Sequence, residues 1–276
     1  MIENRISFIK MDGLGNDFVI IDTRNVNLRL NANQILRLAS RENQITQGCD
    51  QVIVLSKSPN ADIAMNIYNS DGSRVDACGN ASRCVAKIIG DELARNHVTI
   101  FTGERRLEAK IVGKNSVSVD MGEPKLHWNE IPISQNIDTI DLKISLGELA
   151  NPVGVSMGNP HAVFFVDDVS TVDLKNLGPQ LEHHKLFPER ANIGVAQIID
   201  RKNIKLRVWE RGAGETKACG TGACAALVAA VRRNLTDTRA VVSVPGGDLD
   251  ISWDKTNNHV IMTGAVSEPT TGQTEI

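Results

Sequence analysis

The two halves of this 276-residue chain repeat one another in a nearly constant register. Asn69 closes the strand-like run Ile63 to Tyr68 nine residues before Cys78, and Glu210 closes Ile204 to Trp209 nine residues before Cys219. Gln51 and Asn192 each stand 27 residues ahead of their cysteine, opening the apolar runs Val52-Ile53-Val54 and Ile193-Gly194-Val195. Earlier, Gly15-Asn16 leads into Phe18-Val19-Ile20 as Gly158-Asn159 leads into Ala162-Val163-Phe164. Later, Gly103 matches Gly246 and Gly122 matches Gly264, each at a turn beside alternating residues. Ordered anchors in one register point to duplication, which restricts the fold to two copies of one unit.

Each copy carries several strand patterns and one principal helix beginning just after its cysteine. Gly222 to Val231 is apolar on every face, as expected of a helix wrapped by sheet, while Ala81 to Leu93 reads as more amphipathic. Asn33 to Arg41 and Leu174 to His183 read as surface helices. The expected fold class is α/β of the α+β type, with two similar pseudo-symmetric domains. Each is a mostly antiparallel sheet or partial barrel around a central helix. The expected boundaries are 1–122 and 123–263, with a polar linker at Glu123 to Gln135 and a tail, 264–276, returning to the first domain.

Apolar residues make up 41% of the chain and charged residues 23%, for a net charge of -3. Nothing in that balance matches a nucleic-acid footprint or an anionic-membrane surface, so a small polar molecule is the expected partner. The alternating, charged pattern from Met1 to Lys10 is unlike a signal peptide, and no run approaches membrane-spanning length, so a cytoplasmic location is expected. Five cysteines form an odd set in such a chain, which favours thiols over a disulfide framework.

Two of those thiols stand in duplicated settings, Asp76-Ala77-Cys78-Gly79-Asn80 and Lys217-Ala218-Cys219-Gly220-Thr221. A cysteine where a helix begins meets the positive end of the helix dipole, which lowers a thiol pKa. The amides of Gly79, Asn80, Gly220 and Thr221 lack intrahelical partners and can donate to an anion. Two such sites related by a pseudo-twofold, facing one another across an interdomain cleft, suit the inversion of a carbon that bears hydrogen. That reaction needs a base on one face and an acid on the other, with the carbanion stabilised by donors. Cys84 and Cys224 fall six and five residues later and read as packing residues, as does Cys49. These spacings match neither ordinary zinc motifs nor a Cys-x-x-Cys redox pair, so no metal site is expected.

The chain resembles the diaminopimelate epimerase family over essentially its whole length. The motifs that carry the resemblance are Lys10-Met11 with Gly13-Leu14-Gly15-Asn16-Asp17-Phe18, Asn69 with Asp71-Gly72, Ala77-Cys78-Gly79-Asn80, Gly158-Asn159-Pro160-His161, and Glu210 to Thr216 running on through Ala218-Cys219-Gly220-Thr221-Gly222. The resemblance implies interconversion of LL- and meso-diaminopimelate without pyridoxal phosphate or metal, for lysine and peptidoglycan precursors, by a homodimer of two-domain chains. Cys78 and Cys219 resemble the family's proton-transfer pair, with Gly79, Asn80, Gly220 and Thr221 cradling the reacting carboxylate. Asn16, Gln51, Asn69, Asn159, Asn192, Glu210 and Arg211 resemble its substrate ligands, and His161 and Glu210 its groups assisting catalysis. Glu210 and Arg211 are the residue types that a second amino-acid head requires, a carboxylate for its ammonium and a guanidinium for its carboxylate. The chain departs from the family pattern at Asp12, where His or Asn is frequent, at Ala81, where Gly is usual, and at Ala162, where Cys is common. A proline or hydroxyproline racemase would use the same thiol logic on a smaller substrate, but would not need Glu210-Arg211. A non-catalytic amino-acid-binding protein could use the same helix ends, but would not need paired thiols.

Overall fold

The computed structural model describes residues 5–26, 28–75, 78–103 and 105–276. Asp76 and Ala77 of the first cysteine motif lie outside the described residues, as do the first four residues of the N-terminal pattern. The chain divides into two compact units, Met1–Val119 with Gly264–Ile276, and Asp120–Thr263.

The first unit runs β1 (Arg5–Gly13), β2 (Asn16–Asp22), α1 (Ala32–Ala39), β3 (Gln51–Ser56), β4 (Ile63–Asn69), β5 (Arg74–Val75), α2 (Gly79–Leu93), β6 (His97–Thr102), β7 (Arg105–Gly113) and β8 (Ser116–Asp120). Strands β1 and β2 form an antiparallel hairpin, β2 pairs parallel with β3, and β3 pairs antiparallel with β4. Strand β4 pairs antiparallel with β5 and parallel with β6, and β6 pairs antiparallel with β7. Period-two alternation sorts the side chains between two faces. Val19, Ile21 and Val52 pack with Ile35 and Leu38 of α1, which Asn31 and Gln34 start through a reciprocal capping box. The intervening residues, Phe18, Ile20, Gln51 and Ile53, point to the opposite face.

Helix α2 packs against β1, β6 and β7 and is buried on every side through its first three turns, Arg83 and Lys87 included. The sequence reads as amphipathic here, but the sheet wraps the polar face as well. Lys87 pairs there with Asp91 one turn on.

The second unit runs β9 (Ser145–Leu146), β10 (Leu149–Ala150), β11 (Val153–Ser156), β12 (Pro160–Phe165), α3 (Leu174–Glu182), β13 (Asn192–Asp200), β14 (Asn203–Glu210), β15 (Gly214–Thr216), α4 (Gly220–Arg232), β16 (Arg239–Val244), β17 (Gly247–Trp253) and β18 (Val260–Ala265). From β11 to β17 its pairings repeat those of β1 to β7 strand for strand, while β9 and β10 form a separate antiparallel pair. Strands β11 and β12 are antiparallel, β12 and β13 parallel, and β13 and β14 antiparallel. Strand β14 is antiparallel to β15 and parallel to β16, and β16 is antiparallel to β17. The fold is therefore mixed α/β, mostly sheet, with an internal pseudo-symmetry. The last strand of the chain, β19 (Thr270–Glu275), belongs to the first unit and pairs antiparallel with β1 from Arg5–Glu275 to Lys10–Thr270.

Helix α4 is the counterpart of α2, apolar on every face from Gly222 to Val231, and packs against β11 to β14, β16 and β17. Its alanines let those strands approach closely, so enlarging one of them would overpack the unit at a cost of about 1–3 kcal/mol. The segment read as a polar linker is not a free connector. Ile131 and Ile133 are buried in the core that Phe164, Leu174 and Leu181 also enter, and Lys125 exchanges backbone hydrogen bonds with Ser156.

Candidate active site

In the first unit, Cys78 is the N-cap of α2 in an extended conformation, and its sulfur accepts the Ala81 N–H at 3.5 Å. The thiol lies 3.7 Å from Asn16 Oδ1 as a donor, and Asn80 Nδ2 donates to the same oxygen at 3.3 Å. Asn16 turns that oxygen inward because its amide nitrogen donates to Asp50 Oδ2 at 3.1 Å. Asp50 in turn pairs with Arg41, which also holds Asp17. Burial alone would raise the Asp17 carboxyl, but Arg41 and Lys10 hold it well below the usual carboxylate range. The cross-strand pair Gln51–Asn69 forms a second group, with Gln51 Nε2 donating to Asn69 Oδ1 at 3.0 Å and Asn69 Nδ2 to Ser73 Oγ at 3.1 Å. Buried Gln51 Oε1 has no hydrogen-bond partner among the described residues, which leaves an acceptor for a ligand.

In the second unit, Cys219 is the buried N-cap of α4. Parallel pairing of His161 with Asn192 places both on the face of β12 and β13 opposite Ala162 and Ile193, which enter the α3 core. Asn159 Nδ2 donates to Thr221 Oγ1 at 3.3 Å, so its Oδ1 is the acceptor that faces His161 Nε2 at 3.0 Å. That assignment puts the imidazole proton on Nε2 and leaves buried Nδ1 a lone pair with no partner among the described residues. Because the Cys219 thiol donates to Glu210, the Thr221 hydroxyl is the donor in its 3.6 Å contact with Cys219 Sγ. His161, Asn159, Thr221 and Cys219 thus form one polarised line.

The electrostatics of Cys219 differ from the expectation. Burial, followed by the Glu210 carboxylate to which the thiol donates, pushes its pKa well above the ordinary thiol value, against opposing bonds from Thr221 and the Gly222 N–H. A helix N-terminus favours thiolate, but here desolvation and an adjacent negative charge outweigh it. Burial also pushes His161 down to about 3, aided by the positive charge of Arg211. His161 is therefore neutral, a proton acceptor through Nδ1 rather than a cation.

Asn192 ties the remaining residues together. Its Nδ2 donates to the Pro160 carbonyl at 3.0 Å, and its Oδ1 accepts the Arg211 backbone N–H at 2.9 Å. The Arg211 guanidinium reaches the Glu189 carbonyl at 2.9 Å, and Glu210 Oε1 accepts from Thr216 Oγ1 at 2.5 Å. Gly79, Asn80, Gly220 and Thr221 occupy the first positions of their helices, where backbone N–H groups have no acceptor within the helix and point out of its end. Cys49, Cys84 and Cys224 are buried, and burial pushes the Cys49 thiol up to about 12 and Cys84 upward as well, which fits packing.

Sequence reasoning missed Asp50, Thr216 and Glu182. Asp50 precedes Gln51 without a repeat counterpart, since Ala191 fills the matching place. Glu182 did leave a signal, because it extends the buried stripe Leu174, Gly178 at four-residue steps.

The chain matches the family model described as diaminopimelate epimerase over residues 8–127 and 153–268. It is 49% identical over 260 residues to a diaminopimelate epimerase from Acidiphilium cryptum, covering 94% of this chain and 93% of the relative. It is 48% identical over 268 residues to one from Rhodospirillum centenum, covering 96% and 91%. Among solved structures, a PhzF-family phenazine biosynthesis protein from Bacillus anthracis superposes with a TM-score of 0.72 over 99% of both chains. At 15% identity that likeness concerns the fold alone.

Proposed function

The chain belongs to the diaminopimelate epimerase family, and from that premise we propose that it interconverts LL- and meso-2,6-diaminopimelate by proton transfer at one α-carbon, with Cys78 and Cys219 as the two carriers. The observation that carries this reading is that each unit caps its buried helix with one cysteine, surrounded by polar groups that address its sulfur. Inversion requires one thiolate to remove the α-proton and the other thiol to deliver a proton to the opposite face. Reversal of the reaction exchanges their roles, so the pair shares one proton and titrates as a unit.

The carbanion formed between these steps is stabilised as its carboxylate takes on enolate charge. The N–H groups at the helix starts, Gly79 and Asn80 of α2 and Gly220 and Thr221 of α4, suit that anion. Base, acid and electrophile are all supplied by the chain in this scheme, and it calls on no cofactor or metal. Glu210 accepts a hydrogen bond from the Cys219 thiol and favours its protonated, proton-delivering form, while neutral His161 acts through Asn159 and Thr221 to favour a donor arrangement on the sulfur. Asn16 holds the Cys78 thiol by its carbonyl. Gln51, Asn69, Asn159, Asn192 and Arg211 bind the substrate, with Arg211 taking the remote carboxylate in a paired, charge-assisted contact.

The same proposal includes a homodimer and a cytoplasmic enzyme of lysine and peptidoglycan precursor synthesis, on the strength of the family resemblance. No helix among the described residues is long and apolar enough to cross a membrane. Incubation of purified protein with LL-diaminopimelate, without added cofactor, tests the reading. Resolution of the stereoisomers should show meso product accumulating to equilibrium, and an unchanged LL substrate would reject it.

A further inference from the structure

We propose that Glu182, the last residue of α3, is a positioning residue that sets where Arg211 meets the remote head of the substrate; this rests on the substrate reading above. Its side chain is only 5% exposed and gathers donors from two separate segments. Oε2 accepts Trp209 Nε1–H at 2.8 Å, Oε1 accepts the Gly212 backbone N–H at 3.0 Å, and Arg190 Nη1 lies 3.3 Å from Oε1. The Glu182 carbonyl also accepts the Ala191 N–H at 3.2 Å.

Trp209 and Gly212 bracket the dipeptide Glu210-Arg211, so both of its ends hang on one carboxylate. The second segment, which Glu182 grips through Arg190 and Ala191, is the one that holds Arg211 in place. Glu189 accepts from the Arg211 guanidinium, and Asn192 accepts from its backbone N–H. A displacement of Glu182 therefore moves the arginine and its supports together. Helix α3 has little slack against this segment, since a Cβ on Gly178 would stand 2.6 Å from the Trp209 indole.

Only an acceptor with two oxygens fits this place. Glutamine offers one oxygen and one NH2, so either Trp209 Nε1–H or the Gly212 N–H would face another donor. Glu182 has no contact with either sulfur among its hydrogen bonds, and its influence runs through binding geometry rather than proton transfer.

The test is a double-mutant cycle of E182Q with R211A, read as KM and kcat for LL-diaminopimelate beside a thermal melt. E182Q should raise KM by about tenfold or more with a smaller change in kcat, as expected when a binding group shifts by a fraction of an ångström. The double variant should lose no more than R211A alone, because both changes remove one contact. Glu182→Asp, which keeps two oxygens on a shorter arm, should show an intermediate KM in the same cycle and replaces E182Q if that variant does not fold. Parental KM in a folded variant, or losses that multiply independently with R211A, would overturn the assignment. A parent unable to convert LL-diaminopimelate would instead defeat the substrate reading, whereas an active parent with an indifferent E182Q defeats only the role of Glu182.

Discussion

Replacing His161 with glutamine should make the protein less sensitive to acid unfolding. His161 is fully buried, and burial together with the Arg211 charge holds its pKa down to about 3 against an ordinary value of 6.5. The unfolded chain takes up a proton at this residue as pH falls through 6.5, while the folded chain does not until near 3. Stability linked to His161 is therefore complete above the unfolded value and is lost progressively as pH falls between the two. One proton of difference gives a slope near 1.4 kcal/mol per pH unit, so the parent should lose about 2 kcal/mol relative to the variant between about pH 6 and about pH 4.5. That figure hardly depends on the folded value as long as it stays below about 4, because the whole window then lies above it. Glutamine keeps a donor for Asn159 Oδ1 but cannot titrate. Urea unfolding of both proteins at the two pH values gives the difference, and the imidazole proton resonances of His161 report its titration directly. Parallel stabilities, or an imidazole that titrates above about pH 5, would refute the buried, neutral assignment.

Other consequences follow from the same contacts. Glu210→Gln removes the charge and acceptor that raise the Cys219 pKa, so iodoacetamide should alkylate Cys219 faster at neutral pH, whereas Thr221→Val removes a bond that lowers it and should slow alkylation. Peptide mapping of the modified cysteine measures both, and a shift of the same sign in the two variants would contradict the arrangement. Gly222→Ala should cost about 1–3 kcal/mol in chemical denaturation and depress kcat, because its Cβ would stand 3.0 Å from Val208 Cγ2 and 3.2 Å from Cys219 Sγ. Arg211→Ala should lose about 3 kcal/mol of transition-state binding, on the order of 100-fold in kcat/KM for diaminopimelate, with both thiols still reactive.

The fold class was legible because duplication is written in register, and the paired strands follow it. The start of β3 at Gln51 and of β13 at Asn192, and the ends of β4 at Asn69 and β14 at Glu210, fall where the repeat anchors lie. Helix α4 was plain because the run from Gly222 to Val231 is apolar on every face, while α2 misled because Arg83 and Lys87 look like a solvent face until the sheet closes over them. The supposed linker misled for a related reason. Its composition is mainly polar, yet Ile131 and Ile133 decide where it packs. Within the site, residue types and their elements could be read, but not the orientation of the Asn16 amide or the proton on His161, which depend on Asp50 and Thr221 across the chain. The thiol pKa was misjudged because a local helix-end argument cannot weigh the burial of Cys219, or the carboxylate that β14 brings beside it.

The most direct test of the two-thiol account is deuterium incorporation from D2O at the α-carbon, followed with stereoisomer composition for the parent, Cys78→Ala and Cys219→Ala, each checked for fold by circular dichroism. The parent should form meso-diaminopimelate from the LL isomer with solvent deuterium at the inverted centre. Each folded variant should lose nearly all inversion, because one face of the carbon has no proton carrier. Near-parental inversion by either folded variant would contradict the account.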